Sequence, residues 1–251
     1  MEPDSSLGWR FPLRQVALSE AEPLLRETMA PFRAYPLRLI GLFLLLWLIL
    51  WLVTYFQTAG VFFSDVVAAV AFTGYTAALD AATRSEPPDL RHIAAVLRFG
   101  SDKLILLLLS GVLPVLLAVL VVYGAWGMQD TVQFLDEYSR ADGGHPSSTV
   151  MFYFRAAEYI ASMPFTFVSP VWALYRWSGS RSMAANLLAC VVNWRWVLAL
   201  TGFEALADTL LLGLQDQGSE LAVLSLLGGM ATQLLSLSWT LALAQRSFPA
   251  R

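Results

Sequence analysis

Arg84-Ser-Glu-Pro-Pro-Asp-Leu-Arg-His-Ile-Ala-Ala-Val-Leu-Arg-Phe-Gly-Ser-Asp-Lys103 runs directly into an almost charge-free segment that ends at Tyr123. Asp89 is a helix-capping residue type, and Leu90, Ile93, Ala94 and Leu97 behind it fall on one helical face, with Arg91 and Arg98 off it. This spacing predicts a short amphipathic helix lying on a membrane surface. Lys103 then marks the water interface, and Leu104 to Tyr123 supplies the roughly 20 apolar residues needed to cross a bilayer core of about 30 Å. The unit is an interfacial helix feeding a spanning helix.

The same order occurs twice more. Leu24, Leu25, Thr28, Met29 and Phe32 repeat the apolar face upstream, and Arg33 and Arg38 stand where Arg98 and Lys103 stand. Downstream, Met183, Ala184, Leu187, Leu188 and Val191 make a looser version, with Arg181 before it and Arg195 opening the next apolar run. The expected fold is therefore all-α: a polytopic membrane protein of about six transmembrane helices in three hairpin units, each preceded by an interfacial helix. The expected divisions are a cytoplasmic segment 1–18, unit 1 over 19–83, unit 2 over 84–177 with a polar periplasmic insert at 124–149, and unit 3 over 178–251. All form one membrane domain.

The run EPPDLRHIAAVLRFG at 86–100 and the run SRSMAANLLACVVNWRW at 180–196 resemble the signature of a bacterial family of six-span inner-membrane proteins of unknown function. The resemblance covers nearly the whole chain and implies a fold and a location. It carries over no catalytic or binding residue.

Composition points the same way. Of 251 residues, 57% are hydrophobic and only 14% charged, against about 25% charged in a typical soluble domain, and the mean hydropathy is +0.59. The net charge of −3 says little, because the distribution of Lys and Arg orients a membrane chain and the total does not. With the N-terminus cytoplasmic, fourteen of the sixteen basic residues fall on the cytoplasmic side and only Arg140 and Arg155 face out. An even number of spans returns the C-terminus to the same side. Arg33, Arg38, Arg91, Arg98, Lys103, Arg181 and Arg195 are the expected lipid-headgroup contacts.

Residues 1–18 lack the continuous apolar region of a cleavable signal, so the first span is expected to serve as an uncleaved anchor. Ser19 and Glu22 have capping-box spacing for the first surface helix. The first span is expected over about Arg38–Phe56, and the second over about Ser64–Thr83 with Asp65 at its outer end. The third carries Gly111 and Pro114, the ingredients of a kink. A short helix is expected at Gln129–Ser139 within the insert, and the fourth span, from near Val150 to Arg176, is interrupted by Pro164 and Pro170. The lone Cys190 reads as a small core residue.

Buried polar residues concentrate in the last two spans. Glu204 lies nine residues into the fifth span, which at 1.5 Å per residue is about 14 Å deep, and Asp208 follows one turn on. An intramembrane carboxylate costs about 2.5–3.5 kcal/mol even on lenient scales, so each is expected to be neutral, hydrogen-bonded or paired. In the sixth span Gly228, Thr232, Ser236 and Thr240 recur every four residues. An antiparallel hairpin sets Thr232 and Gln233 level with Asp208, and Ser236 level with Glu204. Arg155 and Glu158 share one face of the fourth span and can pair, and Arg155 is long enough to reach Asp208.

Enzyme motifs are missing: there is no phosphate-cradling glycine loop, no His-Glu-x-x-His and no Gly-x-Ser-x-Gly, with only two histidines in all. No cofactor, metal or nucleic acid is called for. The expected partners are membrane lipids and other integral membrane proteins. Two functions fit: a non-catalytic accessory, assembly or lipid-organising protein, which the sequence favours, and a small-solute or ion transporter using the acids of the fifth span.

Overall fold

In a computed structural model that describes residues 11–56, 60–139, 148–175, 177–215 and 219–248, the chain is all-helical, with no strand among those residues. The helices are α1 (Ala21–Ala34), α2 (Pro36–Phe56), α3 (Gly60–Thr83), α4 (Leu90–Ala94), α5 (Ser101–Ser139), α6 (Ser148–Ser162), α7 (Val168–Leu174), α8 (Gly179–Val192), α9 (Trp194–Gln215) and α10 (Ser219–Ser247). Short 3-10 turns precede α1, follow α4 and link α6 to α7. Three stretches are long and apolar enough to cross a membrane: Pro36–Val53, Ser101–Tyr138 and Leu221–Ser247. The α8–α9 pair, bent by 88°, makes a fourth if it is taken as one span. The outer surface suits lipid, with large side chains such as Leu37, Leu44, Leu120 and Leu224 exposed along the long helices.

Sequential long helices pack on one another: α2 on α3, α5 on α6 and α9 on α10. Phe43 of α2 lies against Tyr75 of α3 with ring centroids 5.4 Å apart, and the Tyr75 hydroxyl donates to the Leu39 carbonyl at 3.1 Å. Gly74 lets α4 approach α3 closely, since a Cβ there would stand 2.5 Å from the Ile93 carbonyl oxygen. Asp89 caps α4 as its residue type predicts, accepting from the Arg91 N–H at 2.9 Å.

One end of the bundle is a polar plate. Residue 14 bonds backbone to backbone with Ser247 at 2.8 Å, which brings the start and the end of the described chain to the same face. Asn193, between α8 and α9, accepts from the Val16 N–H at 2.8 Å and donates to Ser247 Oγ at 3.0 Å. Tyr35, before α2, donates to the Ser85 carbonyl, after α3, at 2.8 Å. Arg246 grips Glu27 through two nitrogens at 2.6 and 2.7 Å and also pairs with Glu20.

Several local expectations change. Ser19 and Glu22 do not close a capping box on α1; Glu20 accepts from the Ala17 N–H at 3.0 Å instead, two residues earlier, at the 3-10 turn Leu18–Glu20 that leads into α1. Helical backbone continues through Gly111 and Pro114, and α5 breaks at Gly127, where φ is +85°. Glycine tolerates that conformation and proline cannot supply it. Beyond the break the helix returns onto α6, where Phe134 meets Phe154 at 5.1 Å, so the helix expected at Gln129–Ser139 is the far arm of α5. Lys103, expected at the headgroups, turns inward. It is buried, with Nζ donating to the Tyr175 carbonyl at 3.0 Å and lying 5.0 Å from the Phe99 ring. Arg181 is likewise drawn inward, its guanidinium 5.2 Å from the Trp177 ring and 5.8 Å from that of Phe11. In both cases the carbonyl or ring faces that attract the cation include groups from segments distant in sequence.

Candidate functional site

The helical run from α6 to α7 is broken around Pro164, while Pro170 sits inside the first turn of α7, and the break organises the site. α6 ends at Ser162, a 3-10 turn occupies Met163–Phe165, and α7 begins at Val168. Backbone groups freed and buried at such a break must find partners. Asn186 of α8, fully buried, supplies them: its amide donates to the Pro164 carbonyl at 2.6 Å and its oxygen accepts from the Phe167 N–H at 3.0 Å. Cys190, one turn along α8, is buried beside it.

Beside this break lies a cavity of about 250 Å³. α9 gives it Leu200, Thr201 and Glu204; α10 gives Gln233, Ser236, Leu237 and Thr240. The α6–α7 break gives Ser162, Phe165, Thr166, Val168 and Ser169, while Ala69 of α3 and Leu107 and Ser110 of α5 complete the lining. Among the described residues, Glu204 is the one acid in this lining, and no Lys, Arg or His is part of it.

Its hydroxyls are already committed in large part. Ser110 donates to the Leu107 carbonyl at 2.6 Å, Ser162 to Tyr159 at 2.8 Å and Thr166 to Met163 at 2.8 Å. Thr240 donates to the Ser236 carbonyl one turn back. Ser and Thr in a helix commonly satisfy their proton this way, which leaves oxygen lone pairs facing outward. Ser236 differs. It is buried at 5% exposure and faces the Glu204 carboxyl, and its Oγ closes no hydrogen bond of good geometry to a described group other than that acid.

The second acid has a different fate. Arg155 of α6 pairs with Glu158 at 2.9 Å and reaches Asp208 of α9 at 3.9 Å, with its guanidinium 5.8 Å from the Tyr138 ring. Asp208 is therefore held by a cation, whereas Glu204 one turn away opens onto the cavity. α9 and α10 are in the register expected for a hairpin: Leu211 packs on Gly228, and its carbonyl accepts from Ser225 Oγ at 2.8 Å. Gln233 nevertheless lines the cavity with Glu204 instead of meeting Asp208, and Thr232 spends its hydroxyl on the Gly228 carbonyl at 3.0 Å. The Asp65 side chain and His145 lie outside the described residues.

Among the expected headgroup contacts, Arg33, Arg38, Arg91, Arg98 and Arg195 are exposed. Arg38 and Arg91 flank an open groove of about 490 Å³ between the starts of α2 and α4, floored by Leu37, Gly41 and Leu42. Arg91 also bonds Asp89 at 3.0 Å.

Comparison with protein-family models, curated proteins and solved structures finds no match. The geometry carries the functional reading.

Sequence reasoning missed Asn186 and the hydroxyls at the α6–α7 break. A buried amide facing a proline break leaves a weak signal, an Asn inside an apolar helical stretch, and the partner it serves lies twenty-two residues away.

Proposed function

We propose that this chain is a six-span bacterial inner-membrane protein, with both termini cytoplasmic, that passes a small polar solute or ion through its centre. The six spans are α2, α3, the first arm of α5, the broken α6–α7, α9 and α10, arranged as three hairpins with α1, α4 and α8 on the cytoplasmic surface. Supporting this arrangement are the meeting of residue 14 with Ser247 on one face, the bend of 88° between α8 and α9, and the bias of basic residues.

The observation that carries the functional reading is the polar cavity around Glu204. The accessory reading rests on buried acids being satisfied by neighbouring hydroxyls; Asp208 is held by Arg155 instead, and the hydroxyls around Glu204 are mostly bonded to their own helices. A costly acid facing a partly open cavity lined by hydroxyls and apolar side chains, beside a helix break, is the arrangement that solute and ion pathways use. The test is flux into proteoliposomes, using Na⁺, methylammonium and glycerol as probes. Entry of at least one, lost in Glu204→Gln at unchanged thermal stability, is expected. Entry of none refutes transport.

The accessory or lipid-organising function is the second reading, and the groove between Arg38 and Arg91 favours it. Arg38 and Arg91, the latter shared with Asp89, beside Leu37, Gly41, Leu42 and Leu90 suit an anionic phospholipid, its phosphate on the guanidinium groups and its acyl chain on the apolar side chains. Native mass spectrometry on protein extracted from its own membrane tests it: retained phospholipid that Arg38→Ala releases supports this reading.

A further inference from the structure

We infer that the Glu204 cavity is a binding site for a compact monovalent cation, either a partly hydrated Na⁺ or a small ammonium. The inference rests on the transport reading for its purpose but not for its chemistry, which follows from what lines the cavity.

First, charge. Glu204 is the one ionisable group of the described lining, and Arg155, which approaches the acid one turn further along α9, is paired with Glu158 and lies 3.9 Å from Asp208. An ionised carboxylate there is expensive unless a positive charge joins it. One carboxylate balances one positive charge, which suits a monovalent ion; divalent sites gather more anionic oxygen.

Second, polarity of the hydrogen bonds. Ser110, Ser162 and Thr166 have each donated their proton to a backbone carbonyl, so they offer the cavity lone pairs. A ligand meeting these groups must accept electron density or donate protons. Metal cations, ammonium groups and neutral hydroxyls do so and anions do not; the Glu204 carboxylate selects the cations among them. Gln233 turns a carbonyl oxygen to such a ligand as readily as its amide.

Third, the unsatisfied group. Ser236 Oγ is buried and turned toward the Glu204 carboxyl, with no partner of good hydrogen-bond geometry. Leaving a buried hydroxyl unpaired is costly, and a bound cation or its water removes that cost. The volume of about 250 Å³ exceeds a bare ion and holds about eight waters at roughly 30 Å³ each. A cation therefore keeps part of its hydration shell.

The experiment uses the full chain in detergent micelles at constant ionic strength, replacing choline stepwise with Na⁺ or with methylammonium, and reads both binding of labelled cation and Tm. Saturable binding of one of them is expected, with Tm rising as the site fills. Glu204→Gln should weaken it by about tenfold or more, the scale of losing one charge-assisted contact. Ser236→Ala should weaken it severalfold while leaving the Tm without cation unchanged or higher, a combination that a purely structural serine does not give. If Glu204→Gln does not fold, the Ser236→Ala result decides. No saturable binding of either cation over choline, or equal binding by the variants, overturns the inference. Glycerol flux without cation binding removes the cation and leaves transport standing; cation binding without flux of any probe does the reverse.

Discussion

The Asn186 amide donates to the Pro164 carbonyl at 2.6 Å while its oxygen accepts from the Phe167 N–H at 3.0 Å, so one side chain of α8 closes the break between α6 and α7. Asn186→Ala leaves both backbone groups buried and unpaired, at about 1–3 kcal/mol each. The expected result is a loss of stability on the order of 3 kcal/mol in detergent unfolding. A change under about 0.5 kcal/mol, the range of an unimportant surface site, contradicts this role.

Gly74→Ala forces a Cβ to within 2.5 Å of the Ile93 carbonyl oxygen and 2.9 Å of its Cα. Both are backbone atoms, so α4 must move away from α3 as a unit. Destabilisation of about 1–3 kcal/mol is expected, as for other overpacked sites. Gly41→Ala is the control, because no atom lies within 4 Å of a Cβ there; it should cost little.

Lys103 ties α5 to the end of α7 through the Tyr175 carbonyl. Lys103→Met keeps most of the apolar stem and removes the bond, with an expected cost of about 1.5–3 kcal/mol, the range for a hydrogen bond to a charged group. If Lys103 instead served lipid headgroups, the loss would appear in liposomes of anionic lipid and vanish in neutral detergent.

Acid should loosen the polar plate. The Ala17 N–H holds the Glu20 carboxyl below its ordinary value of 4.5, joined by Arg14 and Arg246. A depressed folded value stabilises the fold above the unfolded value and ceases to do so as pH falls through the folded one. Tm measured downward from about pH 6 should therefore drop below about pH 4.5 in the native chain, and drop less in Glu20→Gln. Parallel curves for the two refute the linkage.

The helical class and the apolar stretches are legible in the sequence because hydrophobic runs and periodicity are local properties. Asp89 as a cap and the break at Pro164 are legible for the same reason. Arg155 reaching Asp208 follows from counting depth along two helices. The fates of Lys103 and Arg181 are not legible: both stand where interfacial cations stand, and only the fold brings the Tyr175 carbonyl and the Trp177 and Phe11 rings to meet them. The same limit hides the cavity, whose hydroxyls come from α5, the α6–α7 break, α9 and α10, far apart along the chain.

Substituted-cysteine accessibility at Ser236 tests the central claim most directly. In a Cys190→Ala background, Ser236→Cys should react with a small cationic thiosulfonate added to proteoliposomes, and Na⁺ or methylammonium should slow the reaction. A thiol that stays unmodified from both sides of the membrane, yet reacts once the protein is unfolded, would show a sealed structural void and contradict the account.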